Sequence, residues 1–140
     1  MKILLVNPPN CGRSIPEERY GITSIKQIFR GEPLALETLA GNLDGHEVAI
    51  VDLKAEPEAF EATLEDFVPD LVGITAVTCE ANTACALARR AKDLTSATIV
   101  VGGIHASSDP QFFNRPEIDF VVIGVGKASF RELVDALEER

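Results

Sequence analysis

The residues of this chain best placed to do chemistry are small ones. Thr75-Ala76-Val77-Thr78, Gly102-Gly103-Ile104-His105-Ala106-Ser107 and Gly124-Val125-Gly126-Lys127 each follow a short apolar run. A glycine at the end of such a run removes the side chain that would hold a flat ligand off the backbone. Thr75 and Thr78 add hydroxyls that hydrogen-bond a polar ligand edge without blocking it. Alone, each glycine reads as a tight turn. Together, Gly102, Gly103, Gly124 and Gly126 describe a ligand slot. His105 follows the double glycine and has the chemistry to bond a ligand or a metal. A lone loop histidine is more often a structural hydrogen-bonder, and that reading ranks first. His46, beside Gly45, is read as structural.

Other chemistries lack their residues. The three cysteines, Cys11, Cys79 and Cys85, include no Cys-x-x-Cys pair, so neither a disulfide framework nor a zinc site is expected. Cys79 and Cys85 are read as small apolar fillers. Ser107 and Ser108 have no nucleophile-elbow context, and no catalytic constellation stands out. The first strand is followed by Asn7-Pro8-Pro9-Asn10-Cys11-Gly12. That is neither a dinucleotide fingerprint nor a P-loop, and it lacks the Ser/Thr-rich character of a flavin phosphate loop. A phosphoacceptor site would need acidic residues where Asn7 and Thr75 stand. A net charge of −9 and a pI near 4.7 exclude the basic face that nucleic acid requires and disfavour an anionic membrane. No apolar run approaches the roughly 20 residues of a membrane span, and the opening run Ile3–Val6 is too short for a signal sequence. A cytoplasmic location is the expectation.

The elements that must position these residues alternate. Apolar runs at Lys2–Val6, Glu47–Val51, Leu71–Thr75, Thr98–Gly102 and Phe120–Ile123 lack polar alternation, which suits parallel strands buried on both faces. Helical patterns separate them at Pro33–Asn42, Pro57–Phe67, Glu80–Leu94 and Lys127–Glu139, with a short helical turn at Gln111–Asn114. Leu34, Leu36, Leu39 and Leu43 are the expected anchors of the first helix. This order predicts one α/β domain over residues 1–140, a flavodoxin-like, doubly wound five-stranded parallel sheet in the order 2-1-3-4-5. In such a sheet the ligand sits outside the carboxyl ends of the strands. The stretch from Asn7 to Glu32, with Arg13, Arg19, Tyr20 and Arg30, is far longer than the usual βα loop of about 2–6 residues and reads as a lid over the site.

At this point the residues look like a family. The chain resembles, over essentially its whole length, the cobalamin (B12)-binding domain that precedes the catalytic domain of B12-dependent radical SAM proteins. The resemblance rests on several segments. They are Lys2-Ile3-Leu4-Leu5-Val6-Asn7-Pro8-Pro9, the proline-led Glu32–Ala40 helix, His46-Glu47-Val48 leading into Val51-Asp52-Leu53, Pro69–Thr75, Val101-Gly102-Gly103-Ile104-His105-Ala106, and Ile118–Gly124. The resemblance implies a module that binds cobalamin base-off. Thr75, Val77 and Thr78 would line the nucleotide tail, Gly102, Gly103 and His105 would flank it, and Gly124, Val125 and Gly126 would border the other side. The Asp-x-His-x-x-Gly motif of B12-dependent mutases is absent, so no histidine from the first loop is expected on cobalt, and no metal ligand is assigned. S-adenosylmethionine and an iron–sulfur cluster would belong to a downstream radical SAM domain of the same parent chain, because Cys11, Cys79 and Cys85 lack its three-cysteine spacing. Such a parent is expected to be a methyltransferase or a tetrapyrrole cyclase. One departure stands out: many family members read Gly-Glu-Gly-Glu where this chain has Gly124-Val125-Gly126-Lys127. That leaves two alternatives open, a degenerate interaction domain that has lost the cofactor, or a binder of another small ligand.

Overall fold

The structure is a computed structural model that describes residues 1–9 and 33–140. The expected lid, including Cys11, Arg13, Arg19, Tyr20 and Arg30, lies outside the described residues.

Five parallel strands form one sheet in the order β2-β1-β3-β4-β5. They are β1 (Lys2–Asn7), β2 (Glu47–Asp52), β3 (Leu71–Thr75), β4 (Thr98–Gly102) and β5 (Phe120–Val121). The crossover helices are α1 (Leu34–Ala40), α2 (Phe60–Phe67), α3 (Ala81–Leu94), α4 (Ile104–Ser108) and α5 (Gly126–Glu138). Short 3-10 turns at Thr78–Glu80 and Pro110–Phe113 complete the elements of the described residues. The predicted doubly wound fold is the observed one.

The two faces of the sheet follow from the alternation of side chains along a strand. On one face Leu4, Val6, Val72, Ile74, Ile99 and Val101 pack against Phe60 and Leu64 of α2, the alanines Ala84, Ala88 and Ala91 of α3, and Phe113. Small residues let α3 lie close to the strands. On the other face Ile3, Leu5, Leu71 and Val100 pack against Leu36 of α1 and against Phe130 and Val134 of α5. This second core is the smaller.

Several boundaries differ from the sequence reading. The strand expected at Phe120–Ile123 stops at Val121 because it is an edge strand paired only with β4; the amide of Val122 still donates to Val101 O, and Gly124 then turns the chain at a φ of 79°. Leu34 is 65 % exposed, so the first helix is anchored by Leu36 and by Leu43 just beyond it. Helix α4 replaces what the double glycine suggests is a loop. Cys85 is buried in the α3 core, as expected of a filler, whereas Cys79 is exposed. His46 meets the structural expectation: its ring lies at the far end of the molecule, where Nδ1 is 3.4 Å from the N-terminal amine and 3.8 Å from a carboxylate oxygen of Glu138.

Candidate functional site

A cavity opens where the second face lacks side chains. Across the strands Leu5, Gly73, Val100 and Phe120 stand in register, and two residues further along Thr75 pairs with Gly102. Gly73 lies under Leu5 and under Phe130 of α5, whereas Gly102 leaves the face bare at the carboxyl end of β4. The result is a slot of about 480 Å³ running from mid-sheet to the carboxyl ends of β3, β4 and β5. That size lies within the range of roughly 300–1,000 Å³ common for small-molecule sites. Its floor and walls are Leu5, Leu36, Leu39, Val100, Val122 and Phe130, while Thr38, Thr75, Ser107, Ser108 and Lys127 supply the polar groups. Among the described residues, Lys127 is the one charged side chain that lines it.

The glycines differ in what they do. A β-carbon on Gly102 would meet only Val122, at 3.6 Å, an ordinary contact. Among the described residues, no packing demands a bare backbone there. Gly73 is different, because a β-carbon would come within 3.0 Å of Leu5 Cδ2. Gly103 has a φ of 105°, where L side chains are strained, and a β-carbon would collide with the backbone of Ala76. The ends of β3 and β4 are pinned around it: Ala76 N donates to Gly102 O at 3.0 Å and His105 N donates to Ala76 O at 3.1 Å.

Thr75, Gly102, Gly103, Gly124, Val125 and Gly126, all predicted site residues, line this one slot. Val77 and Thr78 are exposed beyond the end of β3 and are not among its lining residues. His105 is turned away from it. Its ring stands edge-on to Phe112 and Phe113, with centroids 5.1 and 5.7 Å away, and Nδ1 lies 3.3 Å from Thr78 Oγ1. The other ring nitrogen, Nε2, is buried and has no hydrogen-bond partner among the described residues. The structural reading of His105 fits this packing.

Sequence reasoning passed over Ser107 as a site residue. It occupies the last turn of α4, lines the slot, and its hydroxyl bonds both glycine turns. The available signal was its spacing: a serine four residues after Gly103 can return a bond to that carbonyl only if the segment is helical. Leu39 and Thr38 were also missed, because α1 was read as packing rather than as a wall.

A second polar cluster lies at the ends of β1 and β2. Asn7 Nδ2 donates to Asp52 Oδ1 at 2.8 Å, and the same oxygen accepts the Lys54 amide at 3.1 Å. Lys54 Nζ donates to Pro8 O at 2.7 Å and forms an ion pair with the buried Glu80. Every member has a partner, and the cluster ties the carboxyl end of β1 to the start of α3.

Comparison with known proteins settles the family. A family model described as the B12 binding domain matches residues 23–134. The chain belongs to the B12-binding domain family. Among curated proteins, this B12-binding domain is 39 % identical over 146 residues to a protein of Pyrococcus horikoshii named an uncharacterized methyltransferase, PH0819, covering 99 % of the chain and 30 % of the relative. It is 29 % identical over 150 residues to the anaerobic magnesium-protoporphyrin IX monomethyl ester cyclase of Synechocystis sp., covering 28 % of that protein. The chain thus spans less than a third of the length of these relatives. Among solved structures, it is similar to the radical S-adenosylmethionine methyltransferase TsrM from Kitasatospora setae, with cobalamin and an iron–sulfur cluster bound. The TM-score is 0.74 at 25 % identity, over 99 % of this chain and 24 % of that one. The cobalamin-dependent S-adenosylmethionine radical enzyme OxsB, with aqua-cobalamin and S-adenosylmethionine bound, shares the fold at a TM-score of 0.69 and 20 % identity, over 99 % of this chain and 19 % of that one.

Proposed function

We propose that this B12-binding domain holds cobalamin base-off, with the nucleotide tail in the slot between the strand ends and helices α1 and α5, and with the corrin face over the strand ends. The observation that carries this reading is the slot itself. It has an apolar floor, a bare backbone at Gly102 that no packing among the described residues requires, and a polar rim of Thr75 and Ser107. Its volume of about 480 Å³ suits a part of a large cofactor, with the remainder outside the mouth. In this reading Thr75, Gly102, Gly103, Gly124, Val125 and Gly126 contact the tail, while Val77 and Thr78 border the corrin.

Cobalt is proposed to receive no protein histidine. The chain has two histidines, and both are placed: His46 lies at the opposite end of the sheet and His105 is packed against Phe112 and Phe113. When bound, cobalamin supplies a reactive cobalt centre that no side chain offers; the domain supplies shape and hydrogen bonds. We further propose that the module serves a radical SAM domain of the same parent chain in the cytoplasm. The coverage of less than a third of the curated relatives supports a longer parent. A methyltransferase or a tetrapyrrole cyclase is the proposed parent activity.

A visible-absorption titration with hydroxocobalamin tests the reading. Saturable spectral change at micromolar protein is the expected result, and an unchanged spectrum at high micromolar protein would sink it.

A further inference from the structure

The two glycine turns that flank the slot belong to different strands, and one hydroxyl joins them. Ser107 Oγ donates to Gly103 O at 3.0 Å and accepts the amide of Gly124 at 2.9 Å. Both partners are backbone groups of left-handed glycines, with φ of 105° at Gly103 and 79° at Gly124. The first turn is fixed independently, because Gly103 is wedged against Ala76 and Thr75. The second is not. A β-carbon on Gly124 would meet none of the described residues within 4 Å, and Val125 is 90 % exposed. Among the described residues, the bond to Ser107 is the one hydrogen bond donated by the amides of residues 123–125. A turn flanked by Gly124 and Gly126 has much backbone freedom to lose, so what holds it matters.

From this geometry we infer that Ser107 is a positioning residue that sets the width of the slot by tying the Gly124 turn to the Gly103 turn. The inference rests on the proposed reading of the slot as the seat of the cofactor tail. Ser107 acts through Gly124: it presents the pre-ordered turn, and the ordering entropy is removed before the ligand arrives. In a turn whose side chains are the exposed Val125 and Lys127, contacts depend on backbone placement, and Ser107 is what places that backbone.

The experiment compares wild type, Ser107→Ala and Ser107→Thr in the full chain. Hydroxocobalamin affinity is read by visible absorption, thermal midpoint by circular dichroism, and Gly124 amide exchange by NMR in the cofactor-free protein. Ser107→Ala is expected to lose roughly 5- to 30-fold in affinity and to speed Gly124 exchange, with the thermal midpoint within a few degrees of wild type. Ser107→Thr, which keeps the hydroxyl, is expected to restore both. Equal affinity of wild type and Ser107→Ala overturns this inference alone. Loss of affinity in Ser107→Thr to the level of Ser107→Ala also overturns it, since the hydroxyl is then not what counts. If wild type itself leaves the hydroxocobalamin spectrum unchanged, the functional reading fails and this inference falls with it.

Discussion

A β-carbon on Gly103 would stand 2.8 Å from the carbonyl oxygen of Ala76 and 2.9 Å from its amide nitrogen. Gly102, the neighbouring residue, has no such constraint. The pair separates a glycine that the fold requires from one that it does not. Gly103→Ala is expected to destabilise by about 2–4 kcal/mol, from backbone strain at a positive φ plus overpacking against backbone that cannot move aside. Gly102→Ala is expected to change stability by less than about 1 kcal/mol, with the sign set by lost chain entropy in the unfolded state. Urea denaturation of the two variants decides it, and equal losses would refute the distinction.

The same contrast predicts a separation of folding from binding. Gly102→Leu projects a branched side chain from β4 into a slot whose nearest obstacle is Val122. It should leave the thermal midpoint within a few degrees of wild type and weaken hydroxocobalamin binding at least roughly tenfold, because the side chain occupies the volume proposed for the cofactor tail. Unaltered affinity in a folded Gly102→Leu protein would place the cofactor elsewhere.

Strand positions were legible in the sequence as continuous apolar runs, and their order followed from the commonest arrangement of a five-stranded doubly wound sheet. The walls of the slot were less so. Gly102 and Thr75 announce themselves at strand ends, but Leu39 and Thr38 reach the site only through the docking of α1, a tertiary fact with no local signal. Helix α4 was hidden because Gly102-Gly103 reads as loop chemistry, whereas here the positive φ of Gly103 launches a short helix directly. With α4 unread, the spacing of Gly103 and Ser107 could not be recognised as one helical turn. His105 was placed at the site by its position after the double glycine. That same helical turn carries its ring to Phe112 and Phe113.

Breaking the ion pair of Lys54 and Glu80 should be costly. The Glu80 side chain is 7 % exposed, so Lys54→Met leaves a carboxylate with little access to water and without its cation. A loss of about 3–5 kcal/mol is expected, since an unpaired buried charge cannot be rehydrated in place. Pro8 O also loses its Lys54 donor. The double variant Lys54→Met/Glu80→Leu should recover most of that loss, because it removes the charge that was stranded. Denaturation midpoints of the single and double variants test this. A double variant no better than the single would show that the pair does more than neutralise itself.

Cys85 gives the fold an alkaline dependence. Burial among the alanines of α3 pushes its thiol pKa above the ordinary value, with Glu117 adding to the shift and Arg115 and Arg89 opposing it. Above the pKa of an exposed thiol, the unfolded chain releases this proton while the folded chain keeps it. The unfolded state therefore binds fewer protons, and stability falls as pH rises through that window. Below the ordinary thiol pKa both states are protonated and Cys85 contributes no slope. Urea unfolding between neutral pH and pH 10 should show wild type losing stability more steeply at the alkaline end than Cys85→Ala, whose starting stability is lower because the sulfur no longer fills its space. Other titrating groups are common to both proteins, so the difference between the two curves isolates the thiol. Parallel curves would mean that Cys85 reaches solvent before the fold gives way.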